Sequence, residues 1–255
     1  MRKPFVTAEI GINHNGDISI AKKLIDMAVR CNCDAVKFQK RTVEAVYSKE
    51  FLDSPRQSPW GTTQREQKLG LEFNQGDYEE IQDYCSYMDI PWYASAWDIE
   101  SQKFLKQFDL PYNKIASAMI VDDYLVEEIA LEGKTTFVST GLNNTAKVEH
   151  AVRLLEQNGC KVILMHCIMK YPCPTDECQL AKIPVLIETY GLPVGYSSHN
   201  PGTVDSTVAL ALGAKAIEKH ITLDRSMYGS DQSASLEENG LHIVVRNAQI
   251  VDSML

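Results

Sequence analysis

Residues 215–225 read KAIEKHITLDR, a short apolar run with three charged or titratable residues at its centre. Apolar and β-branched residues on both sides of that centre are typical of a buried strand. Glu218, Lys219 and His220 do not suit a purely structural strand, because charged side chains are rarely buried unless they are paired or bind a metal ion. The stretch therefore predicts a strand that carries part of a functional site.

The same kind of β-rich run recurs along the chain, and each run is followed by a helical pattern. The eight predicted strands are FVTAEIG (5–11), DAVKFQ (34–39), PWYASAW (91–97), NKIASA (113–118), TTFVST (135–140), KVILMHC (161–167), PVGYSSH (193–199) and the stretch that begins at Lys215. Alternating β and α elements imply a parallel sheet, and eight such units in 255 residues predict an α/β fold, a single-domain (β/α)8 TIM barrel over 1–255. The rival is an open doubly wound sheet, which is disfavoured because no glycine-rich phosphate-binding motif follows any strand.

One segment departs from this repeat. Residues 40–76 form a long polar insertion after the second predicted strand. Long connections in compact domains are usually functional or mobile, so we expect this insertion to lie near the site. Pro184 lies inside the helical pattern before the seventh strand and is expected to interrupt it.

Composition limits the class of protein. The formal net charge of -9 argues against a nucleic-acid or membrane-surface binder, although it leaves room for a small anionic substrate. The sequence has no apolar run of membrane-spanning length, and its basic first residues, MRKPFVTAEIG, lack the apolar region typical of a signal peptide. Its seven scattered cysteines form no C-x-x-C pair, which is typical of reduced thiols, and we expect a cytoplasmic protein without structural zinc.

Polar residues follow nearly every predicted strand, at the end where (β/α)8 barrels carry their chemistry. Glu9 lies inside the first strand, and an acid there faces the barrel interior. Lys37 and Lys114 lie inside two others, and two interior lysines in an acidic protein indicate a site for phosphate or carboxylate.

Side chains alternate along a strand, so residues two apart share a face. Ser197 and His199 share one face of the seventh strand, and Glu218 and His220 share one face of the eighth. The two imidazoles can therefore meet at the barrel mouth, where they suit a divalent metal such as Mn²⁺ or Zn²⁺, although a single histidine there is more often a hydrogen-bonded core residue. Lys219 then faces the helices, where we expect it to reach the surface or pair with an acid.

Taken in order, these motifs resemble the N-acetylneuraminate (sialic acid) synthase family, which includes the legionaminic and pseudaminic acid synthases. The matching segments cover Ala8 to Glu237 and are AEIGINHNGD, VKFQ, KIAS, STG, YP-x-P, GYSSH, ALGAKAIEKHITLDR and GSDQSASLE. The resemblance implies a transferase that condenses phosphoenolpyruvate with an open-chain acylamino-sugar aldehyde. The expected products are a nonulosonic 2-keto-3-deoxy acid and phosphate.

The resemblance also implies roles for particular residues. The metal, Mn²⁺ first and otherwise Mg²⁺, Co²⁺ or Zn²⁺, would be held by His199 and His220. Glu9 matches the family's active-site acid. The phosphoenolpyruvate contacts would be Lys37, Lys114, Ser117, Ser139 and Ser197. Positions near the sugar or the metal would be Gln39, Tyr171 and Asp231.

Departures from the family pattern put the sugar in question. Ala118 and Met119 stand where the family has Gly and Glu, Met169 stands where it has Asn, and only Ser95 remains of its threonine contact. The chain also ends at Leu255, before the family's C-terminal antifreeze-like domain, so we expect a different sugar, a separate lid subunit or closure by residues 40–76. A homodimer is implied as well.

Two alternatives stay open at this point. One is a synthase for a shorter or phosphorylated aldose, similar to the 3-deoxy-octulosonate 8-phosphate synthases. The other is a non-catalytic sugar-binding or regulatory barrel.

Overall fold

The computed structural model describes residues 3–142 and 144–254, and its strands form one closed barrel and one hairpin. The barrel strands are β1 (Phe5–Gly11), β2 (Ala35–Lys40), β5 (Trp92–Ala96), β6 (Tyr112–Ile115), β7 (Thr135–Ser139), β8 (Val162–Cys167), β9 (Val194–Ser198) and β10 (Ala216–His220). The hairpin strands are β3 (Pro55–Ser58) and β4 (Gly61–Thr63). All neighbouring barrel strands are parallel, and the ring order is β1-β10-β9-β8-β7-β6-β5-β2. The predicted (β/α)8 barrel is confirmed.

Helices connect successive barrel strands. They are α1 (Ile18–Arg30), α2 (Val43–Val46), α3 (Lys49–Leu52), α4 (Gln64–Leu71), α5 (Gln75–Tyr87), α6 (Ile99–Lys106), α7 (Asp123–Ala130), α8 (Thr145–Gln157), α9 (Lys182–Tyr190), α10 (Val204–Ala211) and α11 (Glu238–Met254). No helix within the described ranges combines the length and apolar character that a membrane crossing requires.

Two sequence predictions were wrong in detail. The fourth strand ends at Ile115 rather than at residue 118, because Ser117–Met119 form a short 3₁₀ turn that carries Ser117 inward. Pro184 does not interrupt a helix, since α9 begins at Lys182 and the proline lies in its first turn. A backbone N–H there has no partner within the helix, so proline is tolerated.

The barrel interior changes from aromatic to charged along the strands. At the N-terminal end, Phe5 contacts Tyr112 and Phe137 with ring centroids 5.2 and 5.8 Å apart, and Tyr93 stacks on Phe137 at 5.6 Å. These rings form a packed floor and keep the lower barrel free of charge. The buried charges of Glu9, Lys37, Lys114 and Glu218 lie beyond this floor, toward the C-terminal ends of the strands.

Strand register places the polar side chains of different strands side by side. Because parallel strands fix which residues are neighbours, groups that lie far apart in sequence become adjacent around the ring. The relevant Cα partners are Glu9 with His220, Glu9 with Lys37, Gln39 with Ser95, Ser95 with Lys114, Ser197 with Glu218, and Cys167 with Ser197.

The insertion at 40–76 is ordered and runs from the end of β2 to the start of α5. It consists of α2, α3, the β3–β4 hairpin and α4. The capping box of α4 fixes the hairpin to that helix, because Glu66 accepts hydrogen bonds from the backbone of Thr62 and Thr63 at 2.8 and 2.9 Å. Trp60 at the hairpin tip contacts Tyr228, with ring centroids 5.7 Å apart, so the insertion meets the loop that follows β10.

Lys219 lies on the outer face of β10, and its side chain is 0 % exposed. Its ammonium group donates to Ser198 Oγ at 2.7 Å and to the Asn200 and Gly202 carbonyls at 2.6 and 2.8 Å, and it lies 3.3 Å from both oxygens of Asp205. The prediction that this lysine faces the helices and pairs with an acid is confirmed. Burial lowers the pKa of Lys219, and the charge of Asp205 opposes that effect. Lys219 thus joins β10 to the end of β9 through Ser198 and to α10 through Asp205, behind the site.

Replacing Lys219 with methionine should lower the free energy of unfolding by about 3 kcal/mol or more, because it leaves Asp205 buried without its partner cation. Urea denaturation monitored by circular dichroism measures the change. Adding Asp205→Asn to the variant should recover part of the loss. The exposed Lys215→Met is the control and should change stability by less than about 0.5 kcal/mol. A loss for Lys219→Met no larger than that of the control would contradict the structural role.

Candidate active site

An open pocket with a volume of about 80 Å³ lies at the C-terminal end of the barrel. Eleven of the twelve site residues proposed from the sequence line it. They are Glu9, Lys37, Gln39, Ser95, Lys114, Ser117, Ser139, Tyr171, Ser197, His199 and His220. The twelfth, Asp231, lies at the rim on the loop after β10, with its Oδ2 3.9 Å from His220 Nδ1. The structure thus brings together residues from seven barrel strands and the loops that follow them.

Glu9 and Lys37 form an ion pair at the bottom of the pocket. The Glu9 side chain is 1 % exposed, and its Oε2 lies 2.6 Å from Lys37 Nζ. Lys37 also donates to Ser95 Oγ at 3.1 Å, and Gln39 Nε2 donates to the other Glu9 oxygen at 2.7 Å. Both oxygens of the buried acid are therefore held, and the lysine is anchored from two strands.

Glu218 is the second interior acid and joins both lysines. Its Oε2 accepts from Lys114 Nζ at 2.8 Å, its Oε1 accepts from Ser197 Oγ at 2.9 Å, and Lys37 Nζ lies 3.8 Å away. Burial alone would raise the pKa of Glu218, but the charges of Lys114 and Lys37 outweigh it and hold that pKa well below its usual range. Glu218 is therefore ionised, and the lysines are neutralised until an anion competes for them.

Hydroxyl and thiol groups line the wall beside Lys114. Ser117 Oγ lies 3.1 Å from Cys167 Sγ and accepts from the backbone N–H of Gly141 at 2.9 Å. A Cβ at Gly141 would stand only 2.7 Å from both the Ser117 oxygen and the Cys167 sulfur, so glycine is required there for a close approach of the loop. In the STGLNN motif, Asn143 lies outside the described residues.

The two predicted metal ligands lie on the opposite wall. The imidazoles of His199 and His220 have centroids 5.6 Å apart, and Tyr171 stacks on His199 at 3.9 Å. His199 Nδ1 lies 2.6 Å from the Ile168 carbonyl, to which it can only donate, so its Nε2 keeps a free lone pair. Burial and the neighbouring His220 lower the pKa of His199 to about 4, so it is neutral near pH 7.

These histidines fit a divalent cation as two of its ligands. His220 Nδ1 is buried and has no hydrogen-bond partner in the described part of the chain, and neutral imidazole nitrogens are common ligands of transition metals. The same described part contains no group of three or more His, Cys, Asp or Glu side chains arranged to hold a metal.

Some site residues received no role from the sequence. Glu218 was placed on the inward face by strand parity, but its bridging of Lys114 and Lys37 was not predicted. Trp97 lines the pocket, and Arg41 stacks on it with the guanidinium carbon 4.2 Å from the ring centroid. The signal for Arg41 was present, because residues 37, 39 and 41 follow the same alternation.

The two methionines that depart from the family pattern differ in position. Met169 lines the pocket, as does Ala118. Met119 packs against the hydrophobic core and is not among the residues that line this pocket. The 3₁₀ turn explains the difference, since it directs Ser117 and Ala118 inward and Met119 outward.

Other histidines have structural roles. His14 stacks on Phe73 at 3.9 Å, and its Nδ1 accepts from the Gly16 N–H at 3.0 Å, which fixes the loop after β1. His166 lies against Tyr196, and its Nε2 is 2.9 Å from the Cys178 carbonyl.

Comparison with known proteins gives a consistent result. The model of the NeuB family matches residues 24–255. N-acetylneuraminate-9-phosphate synthase of Homo sapiens is 34% identical over 254 residues, which is 98% of this chain and 71% of that protein. N,N'-diacetyllegionaminic acid synthase of Campylobacter jejuni is 36% identical over 252 residues, 96% of this chain and 75% of that protein. The crystal structure of N-acetylneuraminic acid synthetase from Leptospira borgpetersenii in complex with citrate superposes with a TM-score of 0.89 at 28% identity, covering 99% of this chain and 85% of that chain.

Replacing Glu218 with glutamine should destabilise the apo protein by about 3 kcal/mol, because Lys114 loses its only carboxylate partner among the described residues. Inorganic phosphate should restore more stability to this variant than it adds to the wild type, since an anion can replace the missing charge. Thermal unfolding with and without phosphate measures both effects. The exposed Glu188→Gln serves as the control, and an equal response of all three proteins to phosphate would refute an anion site at the lysines.

Proposed function

Because the chain belongs to the NeuB family, we propose that it condenses phosphoenolpyruvate with an open-chain acylamino-sugar aldehyde. A bond forms between C3 of phosphoenolpyruvate and C1 of the aldehyde, water adds at C2, and the C–O bond to phosphate breaks. The products are a nonulosonic 2-keto-3-deoxy acid and inorganic phosphate. The observation that carries the proposal is a single pocket that holds two buried lysines, several hydroxyls and two imidazoles.

Phosphoenolpyruvate fits the wall that carries Lys37 and Lys114. Both ammonium groups are buried, at 3 % exposure, and both are held by carboxylates of this chain, so an incoming dianion would exchange one set of ion pairs for another. The hydroxyls of Ser117, Ser139 and Ser197 can donate to its carboxylate or phosphate oxygens. Fixed cations in a buried site stabilise the charge that develops on the leaving phosphate.

The aldehyde end of the sugar fits the wall that carries the histidines. His199 and His220 would hold the divalent metal, for which we propose Mn²⁺ and otherwise Mg²⁺, Co²⁺ or Zn²⁺. When bound, such an ion supplies Lewis acidity toward a carbonyl oxygen. The two side chains themselves supply neutral nitrogen donors, and stacking of Tyr171 keeps the His199 ring in place.

Glu9 is the proposed proton carrier for the addition of water at C2. Its carboxylate is buried at the junction of the two walls, hydrogen-bonded to Gln39 and paired with Lys37. Release of Lys37 to phosphoenolpyruvate would free the Oε2 atom of Glu9 to accept a proton. Lys37 would thereby link the binding of phosphoenolpyruvate to the ability of Glu9 to accept a proton.

The far part of the sugar would lie against Gln39, Tyr171 and Asp231, which stand around the outer pocket. Met169 adds an apolar surface to this wall. The two named relatives differ in whether the product in their names carries a phosphate, and we leave the acyl pattern of the sugar open. The homodimer, the separate lid subunit and the cytoplasmic location stay predictions.

The assay for this function incubates the protein with phosphoenolpyruvate, Mn²⁺ and a panel containing N-acetylmannosamine, its 6-phosphate and 2,4-diacetamido sugars. At least one aldehyde should give a new keto acid, detected by mass spectrometry, and a matching amount of phosphate. Lys114→Met should lower the turnover by roughly a hundredfold or more, because it removes a fixed cation from the reacting phosphate. Binding of phosphoenolpyruvate with no product from any sugar would favour a sugar-binding or regulatory barrel. Failure to bind phosphoenolpyruvate or any aldehyde would rule out the condensation itself.

Mn²⁺ binding tests the histidine wall without relying on turnover. The double variant His199→Gln, His220→Gln should bind Mn²⁺ at least about a hundredfold more weakly than the wild type, since both protein ligands are removed. Electron paramagnetic resonance of free Mn²⁺, with and without phosphoenolpyruvate, measures the affinity. His242→Gln changes an exposed histidine on α11 and should leave Mn²⁺ affinity unaltered. Equal affinity in the double variant and the wild type would place the metal elsewhere.

A further inference from the structure

A row of hydrogen bonds connects the buried acid of the pocket to the insertion at 40–76. Glu9 Oε1 accepts from Gln39 Nε2 at 2.7 Å, and Gln39 Oε1 accepts from the guanidinium of Arg41. Arg41 Nη1 in turn lies 3.5 Å from an oxygen of Glu72, the residue that follows the last turn of α4. Two side chains therefore stand between this acid of the insertion and the acid to which we assign the proton.

The neighbours of Gln39 permit one orientation of its amide. A carboxylate accepts hydrogen bonds and cannot donate them, whereas a guanidinium donates them and cannot accept. The amide nitrogen must therefore face Glu9, and the amide oxygen must face Arg41. In the reversed orientation, oxygen would meet oxygen at Glu9 and N–H groups would meet N–H groups at Arg41.

Arg41 supplies one of only two attachments of the Gln39 side chain. Gln39 is half-buried, and within the described ranges its side chain forms no hydrogen bond other than those to Glu9 and Arg41. A glutamine side chain loses much rotamer freedom when it is held in place, so a single attachment fixes it poorly. Without Arg41, the amide would be free to turn out of the row into the pocket that Gln39 lines.

Arg41 suits this anchoring role because it is itself held from several sides. It is 8 % exposed, and its guanidinium carbon lies 4.2 Å from the ring centroid of Trp97. Its backbone N–H donates to Glu72 Oε2 at 3.1 Å, so the same acid contacts both its main chain and its side chain. A guanidinium that is stacked and ion-paired presents its donors in a fixed direction.

The hydrogen bond between Gln39 and Glu9 is covered by the backbone of β1. Gly11 has a φ of 55°, and a Cβ at this position would stand 3.0 Å from Glu9 Oε1 and 3.2 Å from Gln39 Nε2. Glycine therefore lets the strand pass close against this bond. A hydrogen bond that is shielded from water is stronger than an exposed one, so the direction of the Gln39 donor matters to how the Glu9 carboxylate is held.

We propose that Arg41 is a positioning residue, which fixes the Gln39 amide so that its Nε2 donates to Glu9 Oε1 and leaves Glu9 Oε2 directed at Lys37. The inference rests on the proposed function, in which Glu9 Oε2 accepts the proton, and it adds the residue that holds this acceptor in place. Arg41 acts through Gln39 and not by contact with the reacting groups. The insertion thereby takes part in the reaction through Arg41 and Glu72.

Nuclear magnetic resonance of the apo protein tests the anchoring without turnover. In protein isotope-labelled at its glutamine side chains, the Gln39 amide is the signal that Gln39→Leu removes. Its proton bonded to Glu9 should resonate downfield of the other glutamine amides. In Arg41→Met this proton should exchange with water at least about tenfold faster, the factor expected when a hydrogen bond to a charged group is lost. Arg41→Lys keeps a cationic donor and should retain most of the protection.

Steady-state kinetics test whether the anchoring serves the reaction. Arg41→Met should lower kcat about tenfold and leave KM for phosphoenolpyruvate within about twofold, because the lysines that hold this substrate stay in place. In a Gln39→Leu background the same change should have little further effect, since the residue through which Arg41 acts is missing. Arg246→Met is the matched control, because it removes the same charge from an exposed position on α11 and should alter neither kcat nor the amide signal.

The outcomes separate this inference from the function on which it rests. An unaltered Gln39 signal in Arg41→Met would overturn the positioning role, and so would losses of kcat that simply multiply in the double variant. An altered signal with wild-type kcat would overturn it as well. If the wild type converts no aldehyde while the Gln39 signal responds as expected, the condensation fails and the anchoring of the amide by Arg41 stands. Arg41→Ser, whose side chain is too short to reach Gln39, replaces Arg41→Met if circular dichroism shows that the methionine variant does not fold.

Discussion

The charges inside the barrel mouth constrain everything around them, because a buried lysine or carboxylate is tolerated only with a partner. Lys37 and Lys114 are joined by Glu218, and Lys37 is joined to Glu9, so four buried charges form one neutral chain. This row of four charges is neutral without ligand, and its ion pairs can separate when a dianion binds to the lysines. The same arrangement therefore stabilises the empty protein and prepares it to bind an anion.

The rest of the barrel supports this chain of charges. The aromatic floor of Phe5, Tyr112 and Phe137 fills the lower interior, so the ion pairs lie only where the pocket opens. Behind the site, buried Lys219 ties β10 to the end of β9 through Ser198 and to α10 through Asp205, and so supports the adjacent strand ends that carry His199 and His220. The two groups of buried ion pairs thus have different roles. The charges in the pocket face the substrate, and the Lys219–Asp205 pair stabilises the strands that carry the site.

The insertion at 40–76 extends the site beyond the ordinary barrel mouth. Its hairpin is fixed to α4 by the Glu66 cap and to the loop after β10 by the contact between Trp60 and Tyr228. Arg41, at the start of the insertion, stacks on Trp97, which lines the pocket. A connection that departs from the repeat therefore forms part of the surroundings of the pocket.

The sequence by itself determined the barrel, the inward faces of its strands and most of the pocket. The physical reason is that the β and α periods, strand parity and the confinement of polar residues to strand ends are all local properties. Parity alone put His199 with Ser197, put Glu218 with His220, and turned Lys219 outward. Tertiary structure decided what parity cannot, namely which charges pair across the barrel, since the joining of Lys37 and Lys114 by Glu218 depends on strand register and side-chain reach. It also decided that Met119 leaves the pocket through a 3₁₀ turn and that Arg41 stacks on Trp97. Contacts of this kind join segments whose spacing along the chain carries no record of their distance in space.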